Sequence, residues 1–327
     1  MMLVTLEQAE LCTLPLNTSC MSMPVSPKAM LIKTLLYCIA LLTVTLNLLV
    51  LISICHFRQL HTSTNVLLLS LAVSDLFVGL ALMPTAIATL QSCWILDKIT
   101  CALWILSSSI LTSSSVGSMV LISVDRYVAI CAPLHYSSMI TPRRAKICVS
   151  LCWICSVIYN FIILKDHLSQ RDMLNPCPQG CTLIINYIAG AVDFILTFFC
   201  PVTIIIVLYM RVFVVAVSQA RVMRSQIVAV KSRTLTVVAK KSEMRAARTL
   251  GIVLLVFILC LCPYYCPSLA GQDHTDNGSS PEVWLFYCNS TLNPLIYAFF
   301  YLWFRKAIKL IVSLQILQPG SREAKIM

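Results

Sequence analysis

Apolar residues run along this chain in long blocks separated by short polar stretches. Blocks of bilayer length fall at about 31–55, 65–89, 98–131, 145–165, 186–214, 246–270 and 281–303. A helix rising ~1.5 Å per residue needs about 20 such residues to cross a hydrocarbon core ~30 Å thick. The pattern therefore predicts an all-α membrane protein with seven spans. The third block is the one the others are arranged around: Cys101–Cys131 carries no charge before Asp125 and Arg126. It also carries a ladder of hydroxyls at Ser107, Ser108, Ser109, Thr112, Ser113, Ser114, Ser115 and Ser118. Small hydroxyl residues let helices approach closely and bond across to one another. A lone anchor has no use for them, so the third helix is expected at the centre of a bundle.

The polar stretches alternate in charge. Arg58 follows the first block, and Arg143, Arg144 and Lys146 follow the third. Arg221, Arg224, Lys231, Arg233, Lys240, Lys241, Arg245 and Arg248 lie between the fifth and sixth, and Arg305, Lys306 and Lys309 follow the seventh. Basic loops stay on the cytoplasmic side, which places the N-terminus outside and the C-terminus inside. The chain divides into an outer segment, 1–30, a helical bundle, 31–303, and an eighth helix with a short tail, 304–327. The tail beyond Leu310 is expected to be disordered, and it has no cysteine to carry a palmitoyl anchor.

Composition agrees. Of 327 residues, 59% are hydrophobic and only 11% charged, too apolar for a soluble domain of this size. The net charge of +11 sits in the loops, so it follows topology and does not indicate nucleic-acid binding. Most of the 17 cysteines fall inside apolar blocks, where Cys is a small buried residue, and no two Cys-x-x-Cys pairs have zinc-site spacing. The start of the chain holds Glu7 and Glu10 and no apolar run, so a cleaved signal peptide is not expected. Two glycosylation sequons, at Asn17 and Asn277, fall on the outer side; a third at Asn289 lies within the seventh block and is discounted. Cys12, Cys20, Cys93, Cys101, Cys177 and Cys181 face the outside, where disulfides persist.

Charged groups inside the blocks mark candidate sites. Asp193, about two turns to the outer side of Pro201, has no basic partner in its own block. An intramembrane carboxylate is a functional candidate; the alternative is a protonated, structural acid. Asp75, Ser115, Asn289 and Ser290 can form a polar pocket in mid-bundle, holding either a cation or a water network around a protonated Asp75. Arg126 keeps its charge and needs a partner. Asp125 is adjacent, Glu243 stands at the foot of the sixth block, and simple solvation is the third possibility. A partly exposed ion pair contributes only about 0–1 kcal/mol, which suits a switch better than a lock. Nothing pairs a nucleophile with a base, so no enzyme is expected.

Each block also carries a mark: Asn47, Leu71-Ala72-Val73-Ser74-Asp75, Asp125-Arg126-Tyr127, Trp153, Pro201 with Tyr209, Phe257 with Pro263, and Asn293-Pro294-Leu295-Ile296-Tyr297. In this order they resemble the rhodopsin-like (class A) G-protein-coupled receptors. The run from Asn289 to Phe304, with its closing Trp303-Phe304, is similar to the fingerprint of the trace amine-associated receptors, as is the loop Cys177-Pro178-Gln179-Gly180-Cys181.

The resemblance implies disulfides Cys101–Cys181 and Cys177 to the N-terminal segment, through Cys20 rather than Cys12. It implies a sodium ion near Asp75, Ser115 and Asn289, and a G-protein switch made of Asp125, Arg126, Tyr127, Glu243, Tyr209 and Tyr297. It also implies an outer pocket for a small amine. Most amine-binding relatives keep the counter-ion on the third helix, at the position of Ser108, about five helical turns before Arg126. Here Asp193 stands across the pocket instead, as in a fish subgroup of that family. Tyr264, Tyr265 and Tyr287 are implied to line the pocket, with Thr197, Trp104 and Trp284 at the same depth; aromatic faces attract ammonium groups by ~0.5–2 kcal/mol. Two positions depart from the pattern: Leu261 replaces the usual tryptophan, and Leu46 the usual glycine. The implied function is a plasma-membrane chemosensory receptor for small amines in olfactory neurons, raising cAMP through a stimulatory heterotrimeric G protein. The competing functions are a receptor that signals without ligand or not at all, and a transporter, which predicts repeats and more mid-membrane charge.

Overall fold

The structure is a computed structural model that describes residues 27–89, 98–165, 187–229, 251–265, 281–324 and 326. Among them five helices are long and apolar enough to cross a membrane: Pro27–His56, Ser63–Ala88, Ile99–Cys131, Pro142–Ile163 and Ile188–Ser218. The apolar helix Gly251–Tyr265 and the helix Pro281–Phe300 are the sixth and seventh members. We call these seven helices spans 1 to 7. No strand occurs among the described residues.

Local sequence explains how several helices begin and bend. Thr62 and Thr141 cap spans 2 and 4, each accepting a backbone N–H three residues on, from Asn65 and Arg144, at 3.3 Å. Pro142 sits at the first turn of span 4, where its missing N–H costs nothing. Spans 2 and 5 each widen into a π segment, Val78–Leu82 and Phe194–Phe199. Each lies just before a proline, Pro84 and Pro201, whose ring collides with the carbonyl four residues back. Widening the turn accommodates that collision, and such bulges gather at functional sites.

Span 3 packs against spans 2, 4 and 5, as its hydroxyl ladder predicts. Ser118 bonds Ser70 of span 2 at 3.0 Å, and Trp153 of span 4 donates to the same Ser70 at 3.0 Å. Gly117 lets span 4 come close: a Cβ there would overlap Cys152 Sγ. The core joins Val116, Met119 and Ile122 of span 3 to Ile205 of span 5 and to Val253, Leu254 and Phe257 of span 6. The outer faces of spans 1 and 4 expose Leu41, Leu151, Ile154 and Phe161, suited to lipid.

The C-terminal end differs from the sequence expectation. The eighth helix, Leu302–Val312, buries Trp303, Phe304 and Ala307 on one side and turns Arg305 and Lys309 outward. The tail beyond it is ordered through two short 3-10 turns, Gln315–Leu317 and Ser321–Glu323. The tail folds back under span 1. Ile326 is fully buried beside Ile54, Phe57 and Leu60, and its backbone N–H donates to Gln59 Oε1 at 3.2 Å. Ser321 bonds His56 at 3.0 Å, and Arg58 pairs with Glu323 at 3.3 Å. The buried isoleucine and these polar contacts together hold a tail that composition alone leaves loose.

Candidate functional site

The outer pocket is built around Asp193, the last residue before the π segment of span 5. Its Oδ1 accepts two hydrogen bonds, from Tyr159 of span 4 at 2.8 Å and from Thr197 at 2.9 Å. Among the described residues nothing donates to Oδ2. An aromatic wall leads away from the acid, from Phe198 stacked on Tyr265 at 4.8 Å, to Tyr264 at 5.1 Å and Phe286 at 5.2 Å. It continues to Tyr287 at 5.8 Å and Trp284 at 5.8 Å. Tyr264 and Tyr265 lie within electrostatic range of the Asp193 carboxylate. On the opposite side, half-buried Ser108 is within hydrogen-bonding reach of the Tyr287 hydroxyl. Trp104 and Trp284 pack against the cluster that holds Tyr287. The structure thus brings Asp193, Thr197, Tyr265 and Tyr264 together at one end and Tyr287, Ser108, Trp284 and Trp104 at the other, joined through Phe286.

Below this wall lies a cavity of about 20 Å³ lined by Thr112, Ser115, Phe257, Leu261, Asn289 and Ser290 among others. It has room for a water. Leu261, where the resemblance expects a tryptophan, is among its lining residues.

The mid-bundle polar residues are linked across spans 2, 3 and 7. Asn293 donates to Asp75 Oδ2 at 2.9 Å, and Ser115 donates to Ser74 at 2.9 Å. Asn47 ties spans 1 and 7 by donating to the Ser290 carbonyl at 2.9 Å. Asp75 Oδ1, Asn289 Oδ1 and Asn293 Oδ1 are buried, and none has a close hydrogen-bond donor among the described residues. Buried oxygens short of donors are the chemistry a hard cation with oxygen preference takes. Asp75, Ser115 and Asn289 carry oxygens of the kind a sodium ion takes, and the Tyr297 hydroxyl, also buried and without a partner among the described residues, borders the same region.

Toward the C-terminal end of span 3, Arg126 folds back on its own helix. Its guanidinium pairs with Asp125 Oδ2 through both Nε, at 2.9 Å, and Nη2. Thr64 donates to the same Oδ2 at 2.9 Å and also contacts Arg126, while Tyr136 of the loop helix Pro133–Met139 donates to Asp125 Oδ1 at 3.0 Å. Burial pushes the Tyr136 phenol above its ordinary value, which keeps it a proton donor. The Asp125 side chain is only 2% exposed and that of Arg126 11%, so this pair is buried rather than interfacial. Tyr127 packs against Ile130 and Val212, and Tyr209 reaches the Gly251 backbone of span 6.

Sequence reasoning missed Tyr159, Thr64 and Tyr136. Tyr159 had one signal: with Asn160 it forms a polar pair inside an otherwise apolar block. Cys101 is buried and disulfide-bonded. Cys181, Cys177, Cys20, Asn17, Asn277 and Glu243 lie outside the described residues.

Residues 46–297 match the family described as 7 transmembrane receptor (rhodopsin family). Similar chains include trace amine-associated receptor 13c of Danio rerio, 36% identical over 98% of this chain and 97% of that one. Trace amine-associated receptor 7e of Mus musculus is 38% identical over 96% and 91%, and human trace amine-associated receptor 6 is 37% identical over 95% and 94%. The chain belongs to the trace amine-associated receptors. As a rhodopsin-family receptor it is a multi-pass membrane protein of the cell surface and not an enzyme. In this trace amine-associated receptor the outer pocket and the Asp125–Arg126 clasp sit toward opposite ends of span 3. Ser108 and Arg126 are roughly 27 Å apart along it at 1.5 Å per residue. Coupling between them must pass through the bundle.

Proposed function

We propose that this receptor, with its N-terminus outside the cell, detects small amines and raises cAMP through a stimulatory heterotrimeric G protein. The observation that carries the reading is Asp193: an acid inside a membrane bundle, with no basic partner among the described residues, one oxygen open and an aromatic wall beside it. A protonated amine supplies the missing cation, and the rings of Tyr265 and Tyr264 add a favourable face. The relatives' names carry the same ligand class. Asp75, Ser115 and Asn289 hold a sodium ion in the resting receptor, which supplies the positive charge that a buried carboxylate needs.

The test is a cAMP assay in a heterologous cell with a panel of amines. Removing one partner of a desolvated ion pair costs about 3–5 kcal/mol, or roughly two to three and a half decades of affinity. Asp193→Asn should abolish responses at ordinary concentrations with surface expression intact, whereas Ser108→Ala, losing a hydroxyl bond of ~0.5–1.5 kcal/mol, should do far less. Full potency of Asp193→Asn toward an amine agonist refutes the assignment. A cAMP level that is high in every variant and indifferent to amines supports a ligand-independent receptor, the reading to which the gap beside Leu261 points.

A further inference from the structure

Resting on the reading of Asp193 as the amine's counter-ion, we infer that Tyr159 of span 4 is a positioning residue that sets how that carboxylate meets a ligand. Three observations carry it. Tyr159 reaches across from another helix to donate to Oδ1 at 2.8 Å, and Thr197, buried at 6% exposure, donates to the same oxygen at 2.9 Å. The two hydroxyls are themselves 3.5 Å apart, so they form a single clamp. Oδ2 accepts from none of the described residues. An oxygen holding two donors has its lone pairs engaged, so the carboxylate cannot turn to offer both oxygens.

The consequence is a preference rule. A clamped carboxylate presents one oxygen, and two hydrogens on one nitrogen cannot both point at the same oxygen, so a single ammonium gives it one N–H. A tertiary ammonium has one N–H; a primary ammonium has three, of which the clamp lets Oδ2 take one. Releasing Oδ1 gives a primary ammonium a second acceptor and gives a tertiary ammonium nothing. Tyr159 therefore makes the receptor tolerant of N-methylation.

The experiment compares the straight-chain amines from butylamine to octylamine, and 2-phenylethylamine, with their N,N-dimethyl counterparts. Each is read as half-maximal cAMP concentration at matched surface expression. In Tyr159→Phe the potency ratio of primary to dimethyl amine should rise by roughly one to two decades over wild type, the worth of one charge-assisted hydrogen bond. A residue that only packs lowers both potencies together and leaves the ratio alone. Thr197→Val should move the ratio the same way and Thr197→Ser, which keeps the donor, should not; this pair carries the test if Tyr159→Phe fails to reach the surface. An unchanged ratio in Tyr159→Phe or Thr197→Val, with Asp193→Asn silent, overturns the clamp and spares the counter-ion. Asp193→Asn responding like wild type, or a wild type silent to every amine, removes both.

Discussion

Asp125→Asn tests how the resting receptor is held. The substitution keeps the shape of the side chain and removes its charge. In the structure that carboxylate receives Arg126, Thr64 and Tyr136, and the pair is buried, with side-chain exposures of 11% for Arg126 and 2% for Asp125. Surface discounting therefore does not apply. A hydrogen bond to a charged group contributes about 1.5–3 kcal/mol and a neutral one about 0.5–1.5. Neutralising the acceptor weakens each donor by roughly 1 kcal/mol on that scale, about 3 kcal/mol for the three. Asn presents one acceptor oxygen to them instead of two, and Arg126 is left charged. If about half of this acts on the balance between resting and signalling states, the ratio moves about tenfold. A receptor signalling about 1% of the time without ligand would then signal about 10% of the time. The assay is ligand-free cAMP divided by surface expression, with Arg126→Ala as the uncoupled control. Thr64→Val and Tyr136→Phe should give smaller rises, since each removes one donor. Ligand-free signalling of Asp125→Asn at the wild-type level, with an intact agonist response, would show that the clasp plays no part in holding the resting state.

Other outcomes follow from packing. Ile326→Asp should release the tail, read as faster protease cleavage between Gln315 and Glu323, with amine potency unchanged. Arg58→Ala should leave cleavage nearly as it was, because that pair is exposed on both sides, 69% and 73%, and surface pairs contribute little. Gly251→Ala should lower the Tm of the purified receptor, since the new Cβ overlaps the Tyr209 hydroxyl and overpacking costs about 1–3 kcal/mol. A Tm equal to wild type would mean that spans 5 and 6 are not in the close register described.

The spans, their order and the cluster at the mid-membrane were legible in the chain because each rests on a local rule. Twenty apolar residues in a row have few alternatives, and an acid inside such a run is costly wherever it sits. Asp193 and Asp75 could therefore be singled out without coordinates. So could the central place of span 3, because hydroxyls spaced along every face of one helix are useful only if helices surround it. The C-terminal tail shows the limit. Composition marks the tail beyond Leu310 as loose, and no local pattern tells that Ile326 has a niche under span 1.

What the sequence determined by itself is therefore the kind of molecule and the residues that must be accounted for: a seven-helix receptor with one acid toward one end of the bundle, one in the middle and an arginine toward the other end. What only the tertiary structure decided is the partner of each. Tyr159 meets Asp193 across 34 positions of chain, Thr64 meets Asp125 across 61, and Asn293 meets Asp75 across 218. Such pairings depend on the rotation and depth of helices that are far apart in the chain, set by packing over the whole bundle. A single line of residues carries the need for a partner but not the geometry that supplies it.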